Sequence, residues 1–173
     1  MEKLGSIIGL PILETETGMQ VGEVGELLLD VEGAILCALI INGGNWFASE
    51  KIIAFRDLFS LGRDAVMVCN HHVIHELEDF HMTNHTYHLK DLCDKEIMTD
   101  TGLRLGVLKD IIFDRITGEI KWYQVSDSMI TDVLYGRMLM PLPQVQIVGQ
   151  GKVIVPETMA KLLHGETEMT EFE

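Results

Sequence analysis

The chain has 173 residues, 47% hydrophobic and 23% charged, which is a globular composition and not that of a disordered segment. Its formal charge of -14 is spread along the chain: residues 1–70 carry ten acids against four bases, and residues 71–173 carry seventeen against nine. No cluster of Lys or Arg is present to displace phosphate counterions, so nucleic acid is not an expected direct partner; the acidity serves solubility or a basic protein partner.

The opening "MEKLGSIIGLPILE" has an acid at position 2 and lacks the long apolar core of a signal peptide. The longest apolar run, Ala34–Ile41 ("AILCALII"), is of strand length and is closed by Gly33 and Asn42. A membrane span needs about 18 apolar residues, so the expectation is a soluble, cytoplasmic protein. Cys37, Cys69 and Cys93 are odd in number and show no CxxC pairing, which supports neither a disulfide framework nor a zinc knuckle.

From Leu13 the chain starts a pattern that it later repeats. "LETETGMQVGEVGELLLD" (Leu13–Asp30) matches "IMTDTGLRLGVLKDIIFD" (Ile97–Asp114) without a gap at an offset of 84. Thr15, Thr17, Gly18, Gly22 and Asp30 recur as Thr99, Thr101, Gly102, Gly106 and Asp114. Gly33 then meets Gly118, and "LGRDAVMVC" (Leu61–Cys69) meets "VGQGKVIVP" (Val148–Pro156) at an offset of 87.

Each copy reads as β structure. A polar turn at Gly18 or Gly102 joins two extended segments. The long strand that follows carries apolar residues at Val21, Val24, Leu27 and Leu29; its change of phase calls for a bulge at Gly22 or Gly25. Hairpin signals "DVEG" and "DRITG" lead into "AILCALII" and "EIKWYQVS", and the shorter strands "KIIAF", "AVMVC", "RMLMP" and "KVIVP" follow. Many short strands with glycine turns suggest small closed barrels. After the last strand of each copy comes a helical signal, "CNHHVIHELED" in the first and "PETMAKLLHG" in the second.

These residues resemble the PRC-barrel domain. The resemblance is carried by Thr101, Gly102, Gly106, Asp114, Gly118 and the strand Arg137–Pro141, and in the first copy by Thr17, Gly18, Gly22, Asp30 and Gly33; it covers residues 4–156. It implies a mainly β fold, two tandem six-stranded SH3-like (PRC) barrels, each followed by a short helix. The expected division is 4–80 for the first barrel with its closing helix, 81–88 for a linker, 89–165 for the second barrel with its helix, and 166–173 for an acidic tail. The family implies no catalytic residue and no cofactor. Its members in the photosynthetic reaction centre H subunit and in a ribosome maturation factor dock on other macromolecules, and neither role transfers directly.

Six of the seven histidines fall between Cys69 and Cys93. On a helix, His71, His75 and Glu78 would form one stripe, two imidazoles and a carboxylate within reach of a metal, with Val73, Leu77 and Phe80 turned to the barrel. The pattern fails the H-E-x-x-H test because Asp79 stands where the second histidine belongs. Asp127 and Asp132, with Ser126 and Ser128, read as turn caps and not as a catalytic acid pair. Trp46 and Phe47, adjacent aromatics in a glycine-rich loop, are candidate partner contacts. Trp122 and Tyr123 are a second pair; on a strand one faces in and the other out.

The expected function is therefore a non-enzymatic docking or assembly module with a protein partner, or with further copies of itself. The alternative is a metal-binding or metal-responsive protein using the histidine-rich segment 71–88.

Overall fold

The computed structural model describes residues 1–42, 49–126, 138–144 and 146–165. Two compact units divide the chain: Met1–Leu89 with Asp114–Glu119, and Lys90–Phe113 with Ile120–Glu173. In the first unit β1 is Glu2–Lys3, β2 Pro11–Glu14, β3 Gln20–Asp30, β4 Ile35–Asn42, β5 Lys51–Ala54, β6 Ser60–Leu61, β7 Val66–Val68, β8 His75–Glu76 and β9 Thr86–His88. The strands of the second are β10 Glu96–Thr99, β11 Arg104–Phe113, β12 Ile120–Ser126, β13 Met138–Pro141, β14 Ile147–Val148, β15 Lys152–Val155 and β16 His164–Gly165.

The pairing repeats strand for strand. The first sheet runs β6-β7-β2-β3-β4-β5-β8 and the second β14-β15-β10-β11-β12-β13-β16. In both, the opening strand is parallel to the late strand of its own copy, β2 to β7 and β10 to β15, and the remaining neighbours on the path are antiparallel. The fold is thus mainly β and written twice. The hydrogen-bonded paths are open, ending on two-residue strands. Such short ends leave little edge for unwanted pairing.

Alternation explains each core. Leu27, Leu29, Leu39 and Ile53 are fully buried in the first unit, and Leu108, Ile111, Phe113 and Tyr123 in the second. A second layer in the first unit gathers Leu28, Ala38, Ile40 and Ile52 on the opposite face of the sheet, where Leu77 and Phe80 pack over them. The phase change expected in the long strand falls between Val24 and Glu26, at Gly25. Gly22 and Gly106 recur for a different reason, close approach: a Cβ on Gly106 would lie 2.6 Å from Val125 Cγ1, and one on Gly22 would strike Ile41 Cγ2.

The gapless match at the first turn needs one correction. Ile12 faces Gly22 and Val66, as Ile97 faces Gly106 and Val153, so the equivalent residues on the opening strands are 85 apart and not 84. The extra residue lies in the turn: Gly18 N donates to Glu14 O, four residues back, whereas Gly102 N donates to Thr99 O, three back. The buried position that Thr99 fills in the second unit therefore belongs to Glu14 in the first.

The closing segments also differ from expectation. The first is not a continuous helix but a 3-10 turn (His71–Val73), strand β8 and another 3-10 turn (Leu77–Asp79). β8 pairs with β5, and Leu77 N donates to Glu50 O at 2.8 Å, so the backbone bonds that a helix would need go to the sheet. The second is a six-residue 3-10 stretch, Glu157–Leu162. Nor is 81–88 all connection, because Thr86–His88 form β9, antiparallel to β3.

Candidate functional site

Loss of the helix dissolves the proposed histidine stripe. His71 lies on the first 3-10 turn, His75 on β8 opposite Ile52, and Glu78 on the second turn, all three exposed. Among the described residues no three His, Cys, Asp or Glu side chains are grouped to hold a metal ion. Instead the histidines serve separate neighbours. His71 Nδ1 is 3.2 Å from Glu14 Oε1, the His71 and His72 rings meet at 4.4 Å tilted by 39°, and His85 Nε2 is 2.9 Å from Glu32 Oε2.

Glu14 is the least expected member of this set. Its side chain is 5% exposed; Thr17 Oγ1 donates to its Oε2 at 2.5 Å. The Thr17 hydrogen bond holds the carboxyl below its ordinary range; burial opposes this, and His71 adds to the lowering. Around this pair the two turns are clipped together: Asn70 Nδ2 donates to Glu16 Oε1 at 3.0 Å, and Thr15 N to Val68 O at 2.8 Å. Glu76 on β8 is held low as well, first by Lys51 and then by Ser49, which ties the closing segment to β5.

Of the aromatic candidates, Tyr123 is fully buried and donates from its hydroxyl to Gln146 Oε1 at 2.8 Å. Trp122 is half-buried between Ile112 and Pro141 on the neighbouring strands. Trp46, Phe47, Asp127, Ser128 and Asp132 lie outside the described residues; Ser126 is buried at the end of β12. Cys37 is half-buried, and burial pushes its thiol up, away from reactivity.

The first unit holds an open groove of about 730 Å³, floored by Cys37, Ile52, Phe55 and Phe80, with His75 and His81 on its walls. A second groove of about 320 Å³ continues from it past Phe55 and Arg56 to Phe59. Two large apolar side chains at this surface are mostly exposed, Phe59 at 64% and Ile116 at 90%. Neither was singled out from sequence, though the repeat carries the signal: Phe59 occupies the place of Gln146, and Ile116 puts an aliphatic group in a hairpin turn. The larger groove sets its apolar side chains among Arg56, Asp57, His75, Asp79, His81 and Thr117, a mixed lining suited to holding another chain's side chains.

Two sheets of the same strand order define a mainly β protein in which one fold is repeated in tandem. The PRC-barrel domain model matches residues 1–71 and 84–162, and the chain belongs to that family. No curated protein matches it. No helix among the described residues is long and apolar enough to cross a membrane.

Proposed function

We infer that the protein is a non-enzymatic docking module, in which each sheet curls into the six-stranded, SH3-like barrel that the family implies. The strands β2–β7 and β10–β15 supply six each, with β8 and β16 as short additions. One observation carries the docking reading: the apolar groove of the first unit, with Phe59 and Ile116 exposed beside it. Exposed aromatic and aliphatic side chains beside a largely apolar groove are the features from which interface hot spots are made. The expected setting is the cytoplasm and the expected partner a protein.

The test is cross-linking and capture in the native cell with wild type, Phe59→Glu and Ile116→Glu. Both side chains are solvent-facing, so these variants keep the wild-type melting temperature. A partner held by wild type and lost with both variants supports docking through this surface. Partners indifferent to both changes count against it. Metal binding through the histidines of 71–88 is the alternative, and zinc titration separates it from docking.

A further inference from the structure

The second family segment begins at residue 84, and its opening repeats that of the first. Leu89 and Leu92 are buried as Leu4 and Ile7 are; Asp94 takes a positive φ of 64° where Gly9 takes 84°. Asp94 N donates to Leu108 O at 2.7 Å, as Gly9 N does to Val24 O. Thr86–His88 immediately precede this opening, so by the repeat they belong to the second copy. Their hydrogen bonds go elsewhere. β9 pairs with β3 of the first unit, Leu28 opposite His88, Leu29 opposite Tyr87 and Asp30 opposite Thr86. It occupies the edge of β3 beyond the stretch Gln20–Glu23, where β2 is paired.

This edge needs covering. Leu28 and Leu29 are fully buried, and unpaired backbone beside them would be costly. Val31 N donates to His85 O at 3.1 Å; antiparallel alternation then makes Leu29 and Tyr87 the next hydrogen-bonded pair. The covering strand is only three residues long, and the five residues before it, 81–85, are all exposed. A short strand on an exposed connection, assigned by the repeat to the following copy, is easily exchanged for its equivalent.

We propose that the β3 edge at Leu28–Asp30 is a strand-acceptor site, and that a second copy of this chain fills it with its own Thr86–His88. The exchange makes the same backbone bonds as the closed monomer, so chain concentration and the length of the connection decide between them. It is independent of the groove and of any foreign partner.

The experiment uses the full chain. Removing Met82–Asn84 takes about 10 Å from the reach of the connection. The shortened chain is expected to run as a dimer by light scattering, and Tyr87→Pro, which removes the strand's central donor, is expected to return it to monomer. A shortened chain that stays monomeric at every concentration overturns the proposal, as does a dimer indifferent to Tyr87→Pro. Should the deletion prevent folding, wild type refolded from denaturant at rising concentration decides. A dimer fraction that grows with concentration and is suppressed by Tyr87→Pro supports exchange, and monomer throughout overturns it.

Discussion

His71 Nδ1 stands 3.2 Å from Glu14 Oε1, joining the first turn of the chain to the segment that closes the same unit, 57 residues away. The carboxyl of Glu14 sits below its ordinary value of 4.5, chiefly because of the Thr17 hydroxyl. A carboxyl lowered in the folded state releases its proton there first, so the unfolded chain holds more protons in the window between the two values. Its contribution is complete above about pH 4.5 and is lost as the pH falls through the lower, folded value. Denaturant titrations from pH 6 to pH 3 are expected to show a loss of stability in wild type that is shallower in Glu14→Gln.

Tyr123 fills the place that Leu39 fills in the first unit, both wholly buried. Beyond its larger ring, Tyr123 brings a hydroxyl to that site, and Gln146 Oε1 accepts from it at 2.8 Å. Tyr123→Phe keeps the ring and strands the acceptor, an expected cost of about 1–2 kcal/mol in unfolding free energy. Tyr123→Leu removes ring volume too and is expected to cost more, about 3 kcal/mol. Urea midpoints for the two variants measure both.

Much of the fold was legible because the chain states it twice. Gly22 with Gly106 and Asp30 with Asp114 mark the same strand and hairpin, and chance does not reproduce both glycines and hydrophobic phase over that length. Asp30 Oδ1 accepts from Glu32 N and Gly33 N, and Asp114 Oδ1 from Ile116 N and Thr117 N, so the shared aspartate is a hairpin cap. The closing segment was not legible. Val73, Leu77 and Phe80 lie on one face of a helix, and they serve equally well in two turns around a strand; over so short a stretch periodicity does not separate the two. Pairing of His75–Glu76 with β5 decides it, a contact more than twenty residues away in sequence. A gapless match also concealed the turn's extra residue, and with it the burial of Glu14.

The histidine segment gives a prediction of its own. His71 lies on a 3-10 turn and His75 on β8, so they lack the one-turn helical spacing that would let two imidazoles share an ion. Replacing both by alanine is expected to leave zinc affinity unchanged in a calorimetric titration. A clear loss would return the metal reading to first place. His71→Ala is expected to lower stability in the same experiments, through loss of the contact with Glu14.

Gly22 and Gly106 occupy equivalent places, yet alanine is expected to be tolerated differently at the two. At Gly22 the first obstacle is the Ile41 side chain, and the nearest backbone atom, Asn42 O, is 3.3 Å away. A rotamer change there relieves most of the contact. At Gly106 a Cβ meets Ser126 O at 2.8 Å as well as the Val125 side chain, and φ is 143°, a conformation that L residues rarely adopt. Backbone cannot swing aside without breaking the β11–β12 pairing that holds Val107 opposite Ser126. Gly106→Ala is therefore expected to destabilise the chain by about 2 kcal/mol more than Gly22→Ala. Thermal denaturation of the two single variants makes the comparison, and equal losses would mean that the strand next to Gly106 yields as readily as the Ile41 side chain.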